Sequence, residues 1–335
     1  MPWNPATPQP RNPVRGDTAA NACPAEPVMN SSPPVPCVVG LGEALFDVFP
    51  SAPRLGGAPL NVAVHAHRLL AAHGGAGCVV SRIAEDDLGQ QLLEQVQKFG
   101  LDADTLQRRA TYPTGRVEVE IKDDGSHRFH IADPSAWDQL EFTPGLAALA
   151  PRCAAVAFGT LAQRHPDARR AIRAFLDAAP DAIKLFDVNL RASDGKDFYD
   201  PDTLTAGCTA ADLVKLNDEE LDTVCAAADV EDAAALVDRF GLRALILTRG
   251  PEGTAALTPE GWLEGEPVSY PRVDGADTVG AGDACSAGLL AALVLGHPLP
   301  FALNLANHLG AYVAGQPGAT PALPDEILGR LTPRR

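Results

Sequence analysis

The chain has 335 residues, of which 46% are hydrophobic and 21% are charged, and its formal net charge is −16. This acidity excludes nucleic acid and anionic lipid as expected partners, because like charges repel. No apolar run reaches the roughly 18 residues that a membrane span requires, so a membrane protein is not expected either.

The first 36 residues are rich in Pro, Asn, Ala and Ser and contain no apolar segment of the kind found in secretory signals. Their composition predicts a disordered tail, so the folded domain is expected to span residues 37–335. The seven cysteines are odd in number and include no Cys-x-x-Cys pair. This usage favours reduced thiols, a cytoplasmic location and the absence of a zinc site.

The first half of the folded region begins with strand and helix patterns and then changes its period. Val38–Leu41 and Cys78–Ser81 predict buried strands, and Leu88–Phe99 predicts an amphipathic helix. Polar and apolar residues then alternate over Arg116–Ile131, on both sides of the hairpin signal Asp124-Gly125. A two-stranded ribbon is marginal alone, so we expect it to cover an active site or a partner subunit.

The second half alternates short apolar runs with helical segments, which predicts a mostly parallel sheet with helices on both faces. In such sheets ligands bind at the carboxyl ends of the strands. The predicted strands are Ala154–Phe158, Ile183–Asp187, Leu213–Leu216 and Ala244–Thr248. The predicted helices are Asp167–Ala178, Asp218–Ala227, Ala233–Phe240, Asp283–Leu295 and Phe301–Val313.

The segment Asp277–Asp283 is the strongest chemical signal, because two carboxylates bracket small residues just before a predicted helix. Small residues leave backbone N–H groups uncovered, and the helix dipole favours anionic oxygens there. The pattern indicates phosphoryl transfer, although an ordinary turn with an aspartate N-cap is the simpler alternative. At a helix start, the pKa of Asp283 is expected to be lowered. We interpret Cys285 as a core residue, not a nucleophile.

Two further segments allow both a structural and a functional interpretation. Gly56-Gly57 is either a turn or bare backbone that a small ligand approaches, with Asn61 and Asp47 offering groups to vicinal hydroxyls. Lys215–Glu220 is either a capped helix start or a site where Asn217 and Glu220 hold a hydrated Mg²⁺ near phosphates.

Several other catalytic signatures are absent from the sequence. There is no Gly-x-x-x-x-Gly-Lys-Ser/Thr loop, no Gly-x-Gly-x-x-Gly fingerprint, no His-Glu-x-x-His and no Gly-x-Ser-x-Gly. Because the net charge of −16 repels nucleotides at long range, any nucleotide site must be locally positive.

Together these segments resemble the ribokinase-like (PfkB) carbohydrate kinases, and the resemblance extends from about Val38 to the end of the chain. The Gly-Gly-Ala-Pro-x-Asn and Asp-x-Asn-x-Arg forms are similar to the bacterial fructokinase branch. The motifs that carry the resemblance are Gly56–Asn61, Asp187–Arg191, Lys215–Glu220 and Asp277–Asp283.

The resemblance implies a three-layer α/β/α sandwich with a small β-sheet lid, whose strands lie near residues 47–55 and 111–132 and which joins a homodimer. It also implies an ATP-dependent sugar kinase with fructose as the leading acceptor. Ribose, 2-keto-3-deoxygluconate or a nucleoside remain alternatives, and a non-catalytic sugar- or nucleotide-binding protein on the same scaffold is an alternative of another class.

The resemblance further implies roles for individual residues. Asp283 is expected to be the catalytic base, next to an anion hole made by Gly280, Ala281 and Gly282. The expected sugar-binding residues are Asp47, Gly56, Gly57, Asn61, Asn189 and Arg191. The expected nucleotide-binding residues are Lys215, Asn217, Glu220, Thr248, Gly250 and Asn307.

Two cation sites are implied as well. Glu220 is expected to hold Mg²⁺ through water, and a K⁺ site is expected at Asp277, Val279, Val313, Gln316 and Gly318. Ala322 stands where some relatives carry a serine ligand, so the chain departs from the family pattern at the K⁺ site.

Overall fold

The computed structural model describes residues 36–48, 53–121, 127–193 and 195–331. The predicted tail, except for Pro36, and the predicted Asp124-Gly125 turn lie outside these residues. The strands are β1 Cys37–Leu41, β2 Leu45–Val48, β3 Pro53–Gly56, β4 Ala76–Arg82, β5 Leu106–Gln107, β6 Gly115–Ile121, β7 His127–Ile131, β8 Ala155–Gly159, β9 Ile183–Asp187, β10 Ala192–Ser193, β11 Lys196–Asp197, β12 Leu213–Asn217, β13 Ala244–Thr248, β14 Thr254–Thr258 and β15 Gly261–Glu264. The α-helices are α1 Ala58–Leu70, α2 Asp87–Lys98, α3 Pro144–Leu149, α4 Pro166–Asp177, α5 Pro201–Ala210, α6 Asp218–Ala228, α7 Ala233–Phe240, α8 Ala281–Val294, α9 Leu299–Ala314 and α10 Asp325–Leu328.

The large sheet has the strand order β15-β14-β13-β12-β9-β8-β1-β4-β5. All its pairings from β5 to β13 are parallel, and β14 and β15 extend it as antiparallel edge strands. The prediction of a mostly parallel sheet is therefore confirmed. β14, β15 and α5 were not predicted, because their short apolar runs carry weak periodicity.

Helices cover both faces of this sheet. Adjacent strand residues point to opposite faces, so Val39 packs in a core with α4 to α7, whereas Val38 packs in a second core with α1, α8 and α9. Helix α8 is buried from Ala284 to Leu293, because it lies between the sheet, α1 and α9. A helix that is apolar on all sides is expected to be buried in this way.

A second sheet has the order β3-β2-β6-β7, and we call it the lid sheet. The pairs β2–β3 and β6–β7 are antiparallel, whereas β2 and β6 run parallel. Strands β2 and β3 lie between β1 and α1 in the chain, so the lid sheet is attached beside the carboxyl end of β1. Within the described part of the chain, none of the helices combines the length and apolarity needed to cross a membrane.

Candidate active site

The site lies at the carboxyl edge of the large sheet, where the first turns of α1 and α8 meet. Gly280 precedes α8 with a left-handed φ of 77°, and a Cβ atom on it would lie 2.6 Å from the Cα of Ala319. Glycine is required there for both reasons. This tight turn places the start of α8, and Asp283 with it, at the edge of the sheet.

Asp283 is partly buried and is held by a residue from a distant part of the sequence. Its Oδ2 accepts a hydrogen bond from Nδ2 of Asn61 at 2.7 Å. Burial, followed by the nearby charge of Asp187, raises the pKa of Asp283 to about 6, whereas Asn61, Lys215 and Arg191 act to lower it. The expectation of a lowered pKa is therefore wrong, because desolvation outweighs the favourable position at the helix start.

The backbone N–H groups at the start of α8 differ in their partners. The N–H of Ala281 donates to the carbonyl of Thr278 at 3.3 Å. Within the described residues, the N–H groups of Gly282 and Asp283 have no protein acceptor, as is usual in the first turn of a helix. Of the three N–H groups predicted to form the anion hole, that of Ala281 thus already has a protein acceptor. The N–H group of Asp283, which was not predicted, has none among the described residues.

The surroundings of Gly282 show whether packing requires a glycine at this position. A Cβ atom on this residue would meet one atom within 4 Å, Nζ of Lys215 at 3.6 Å. Packing alone therefore does not require glycine at this position. The same distance places the Lys215 ammonium directly beside the first turn of α8.

Lys215 belongs to a buried polar cluster with Asp187 and Ser286. Lys215 and Asp187 are register partners on β12 and β9, and Asp187 Oδ2 accepts from Lys215 Nζ at 2.7 Å and from Ser286 Oγ at 3.0 Å. Burial alone would lower the pKa of Lys215, but Asp187, Cys285 and Asp283 together raise it. Lys215 is therefore a charged ammonium in the protein interior.

Asn217 and Glu220 form a capping box at the start of α6. Asn217 Oδ1 accepts from the N–H of Glu220 at 2.9 Å, and Glu220 Oε2 accepts from the N–H of Asn217 at 3.0 Å. Glu220 Oε1 also accepts from the N–H of Leu190 at 2.8 Å, which ties the loop after β9 to α6. Burial raises the pKa of Glu220. The interpretation of this motif as a capped helix start is thus correct. The capping box holds the Glu220 carboxylate beside the same edge of the sheet.

The predicted sugar-binding residues surround the same edge. Burial raises the pKa of Asp47 to about 6, with Arg191 opposing and Asp283 and Asp277 adding to the shift. Arg191 therefore lies within electrostatic range of Asp47 and Asp283. Three further predicted residues form the adjoining backbone. Gly56 ends β3, Gly57 precedes α1 with a φ of 107°, and Asn189 follows β9 with a φ of 40°, which is unusual for a non-glycine residue.

The predicted nucleotide-binding residues lie near the antiparallel edge of the sheet. Thr248 Oγ1 donates to the carbonyl of Leu216 at 3.3 Å, and Gly250 follows β13 with a φ of 53°. Asn307 is buried, accepts from Thr254 Oγ1 at 2.9 Å and donates to the carbonyl of Glu266 at 2.8 Å. The amide of Asn307 is therefore engaged within the protein, a packing role that the sequence analysis did not consider.

The residues predicted for a monovalent cation come together around Asp277. Its carboxylate accepts from the N–H of Val279 at 3.0 Å, from the N–H of Gly318 at 3.2 Å and from Nη1 of Arg54 at 3.2 Å. The carbonyls of Val313 and Gln316 accept backbone N–H groups of Gln316 and Asp277 at 3.0 Å and 3.2 Å. This donor set fits a cation only in part, because the Arg54 guanidinium already places a positive charge on the carboxylate.

Three residues of the site were not singled out from the sequence: Glu43, Ser286 and Arg54. Asp187 was singled out in the motif Asp187–Arg191, but its pairing with Lys215 was not predicted. The signal for Asp187 and Lys215 was present, since each is a charge at or within an apolar strand, which predicts a buried pair. Glu43 likewise lies two residues after the buried strand β1. The prediction for Cys285 as a core residue is confirmed, because it is buried and its pKa is raised to about 11.

Comparison with known proteins agrees with this geometry. The chain is 32% identical over 307 residues to a fructokinase of Klebsiella pneumoniae, covering 85% of this chain and 95% of that protein. It is 28% identical over 298 residues to an aminoimidazole riboside kinase of Salmonella typhimurium, covering 85% of this chain and 91% of that protein. A fructokinase structure from Xylella fastidiosa with bound ATP superposes with a TM-score of 0.74 and 26% identity, covering 88% of this chain and 98% of that one.

The family model described as pfkB family carbohydrate kinase matches residues 52–326, which include the first turn of α1, the capping box of α6 and the start of α8. This match spans most of the sequence and both elements that carry Asn61 and Asp283. The chain accordingly belongs to the pfkB family of carbohydrate kinases.

Proposed function

We propose that this protein transfers the γ-phosphoryl group of ATP to a hydroxyl of a small neutral sugar, with fructose as the acceptor. The observation that carries the proposal is the start of α8, where Asp283 lies beside two N–H groups that have no protein acceptor. A carboxylate and an anion-binding backbone at one place are what transfer to an alcohol requires.

Asp283 would accept the proton of the attacking hydroxyl, oriented by the hydrogen bond from Asn61. Because its pKa is about 6, it is mostly ionised at neutral pH and remains a stronger base than an ordinary aspartate. The N–H groups of Gly282 and Asp283 and the ammonium of Lys215 would stabilise negative charge on the transferring group. Phosphoryl transfer depends mainly on such positioning and charge stabilisation.

The fit of Glu220 to magnesium is indirect. Each of its carboxylate oxygens already accepts one backbone N–H, which leaves lone pairs for the waters of a hydrated ion. Mg²⁺ bound to ATP would neutralise phosphate charge, and Glu220 and Asn217 are the residues that would hold its hydration shell. Thr248 and Gly250 would border the nucleotide. For K⁺, we propose at most a minor role, because Arg54 already neutralises Asp277.

The choice of fructose is supported by the relatives, several of which are fructokinases. A riboside is the second candidate, because the aminoimidazole riboside kinase is nearly as similar to this chain. Ribose and 2-keto-3-deoxygluconate stay in the panel of acceptors to be tested. A binding protein without activity is less well supported, because the groups that transfer requires are all present.

We also propose that the lid sheet closes over the sugar and joins two copies of the chain, and that the protein acts in the cytoplasm. Closure would exclude water, so ATP hydrolysis should be slow until a sugar binds. Analytical ultracentrifugation tests the homodimer. Six described cysteines are free thiols, which supports a reducing compartment.

The deciding experiment is a coupled kinase assay with ATP-Mg²⁺ and four kinds of acceptor: fructose, ribose, 2-keto-3-deoxygluconate and nucleosides. We expect fructose to give the highest kcat/KM and a phosphorylated sugar in the product analysis. Thermal shift measurements with the same compounds show which of them bind, for comparison with those that are phosphorylated. Stabilisation by a sugar and ATP without any phosphorylated product would contradict the proposal and indicate a binding protein.

A further inference from the structure

We propose that Glu43 is a specificity-determining residue, which binds a sugar hydroxyl other than the one that is phosphorylated. This inference rests on the proposed function, since it assigns a group that holds the acceptor of that reaction. It starts from a carboxylate that neither the sequence motifs nor the packing of the fold accounts for.

Glu43 follows β1 and is buried, with 4% of its surface exposed. Its Oε2 atom is inaccessible to solvent and has no hydrogen-bond partner among the described residues. A buried polar atom without a partner costs stability, and native proteins keep few of them without a reason. The Glu43 carboxylate is therefore free to accept a hydrogen bond from a water or from a ligand hydroxyl.

The position of Glu43 indicates where that donor comes from. Its side chain lines a pocket that is open to solvent, together with Pro59, Thr160, Asp187 and Asn189, and this pocket leaves about 20 Å³ of space for water-sized groups. These residues end or follow β1, β8 and β9 or lie in the first turn of α1, so the pocket lies at the carboxyl edge of the sheet. This space accommodates about one water molecule, and therefore a single hydroxyl of a sugar at the Glu43 carboxylate.

Most other polar groups of this pocket already have partners. Thr160 Oγ1 donates to the carbonyl of Val188 at 2.9 Å, and Asp187 is bonded to Lys215 and Ser286. Among the acceptors at this edge, Oδ1 of Asn61 is also buried without a partner. Glu43 and Asn61 thus present two acceptor atoms that lack donors. A polyhydroxylated ligand supplies O–H donors at several points.

The electrostatics place Glu43 next to the reacting group. Burial raises its pKa to about 7; the backbone N–H groups of Glu43 and Ala58 and the charge of Arg191 oppose the rise, and the charge of Asp283 adds to it. Glu43 therefore lies within electrostatic range of Asp283. Glu43 lines the same pocket as Ala58, the first residue of α1, which lies three residues before Asn61. A hydroxyl bound by Glu43 would belong to the same sugar whose other hydroxyl meets Asp283.

The test is a thermodynamic cycle between a change in the protein and a change in the sugar. Calorimetry measures the Kd of wild type, Glu43→Gln and Glu43→Asp for the best acceptor and for its monodeoxy analogues. We expect Glu43→Gln to weaken binding of the parent sugar by about 10–100-fold, the usual value of a hydrogen bond to a charged group. We expect one monodeoxy analogue to bind wild type about as weakly as the parent sugar binds Glu43→Gln. That analogue should lose little further affinity when it is tested with Glu43→Gln.

Glu43→Asp withdraws the carboxylate by one methylene and should give the same pattern, which guards against misfolding of a single variant. Glu94→Gln is the matched control, since Glu94 is exposed on α2 and bonds only Gln90 among the described residues. Thermal denaturation of each variant checks the fold. If the loss of affinity from the substitution at Glu43 and the loss from removing a hydroxyl add up for every analogue, the assignment of Glu43 is overturned. If wild type neither binds nor phosphorylates any sugar, the proposed function falls and the assignment of Glu43 falls with it.

Discussion

Asn61 and Asp283 are 222 positions apart in the sequence, yet the Asn61 amide donates to the Asp283 carboxylate at 2.7 Å. This contact joins the first turns of α1 and α8. Asn61, which was predicted to bind the sugar, therefore orients Asp283, the predicted base. Catalysis by such a base depends on geometry before pKa. Because the contact can persist when Asp283 is replaced by a residue of similar shape, the role of Asp283 as the base can be tested without disturbing the fold.

Asp283→Asn removes the base and retains a side chain that Asn61 can still contact. We expect kcat to fall by about 10²–10⁴-fold, the usual contribution of a general base. The Kd for ATP, measured by calorimetry, should change little. In wild type, kcat/KM should rise as the pH passes through about 6, because Asp283 must be ionised to accept the proton. A variant with near-normal turnover would contradict the assignment.

The same variant has a predicted effect on stability. The folded-state pKa of Asp283 lies above its ordinary value of 3.8, so folding favours the protonated form. The carboxylate therefore causes no destabilisation below pH 3.8, and its cost grows as the pH rises and is complete above about 6. We expect Asp283→Asn to be more stable than wild type at pH 8, by up to about 3 kcal/mol. Denaturant titrations at pH 8 and at low pH check this sign, and a less stable variant at pH 8 would show that the carboxylate is structurally required.

Gly282 and Gly280 form a matched pair for the anion site. Gly282→Ala should keep or increase stability, since alanine is favoured in a helix by about 1 kcal/mol and its Cβ would meet only Lys215 Nζ within 4 Å. Activity should nevertheless fall by at least about 10²-fold, because the methyl group obstructs the anion-binding N–H groups.

Gly280→Ala should have the opposite profile. A side chain there is strained by a φ of 77° and by the backbone of Ala319, so we expect a loss of about 1–3 kcal/mol in stability. Urea unfolding and steady-state kinetics on both variants distinguish the two roles. An active Gly282→Ala enzyme would argue against an anion hole at this turn.

Lys215 and Asp187 should behave as a buried pair with a function beyond packing. Lys215→Met leaves the Asp187 carboxylate without its charged partner, and we expect a loss of about 3–5 kcal/mol in the free energy of unfolding. The double variant Lys215→Met/Asp187→Leu should recover most of this loss while kcat stays low, because the ammonium beside Gly282 is gone. Normal turnover in the double variant would reduce the pair to a structural role.

Arg54 should determine the response to monovalent cations. We expect wild type to be nearly as active with Na⁺ as with K⁺, because the guanidinium already neutralises Asp277 at 3.2 Å. Arg54→Ala should lower the rate and make it rise with K⁺. Arg116→Ala is the control, since Arg116 is another lid-sheet arginine, paired with Glu118. Strong K⁺ activation of wild type would contradict this role for Arg54.

The sequence by itself determined most strands and helices of the parallel sheet and the motifs at their ends, because periodicity and turn chemistry are local properties. The start of α8, the capping box of α6 and the core position of Cys285 could all be inferred in this way. Only the tertiary structure decided which residues meet: Asn61 with Asp283, Lys215 with Asp187, and Arg54 with Asp277. It also reversed the pKa shift expected for Asp283 and exposed the role of Glu43. Desolvation and partner charge are set by residues that packing brings together from as far as 223 positions away, and no local pattern contains that information.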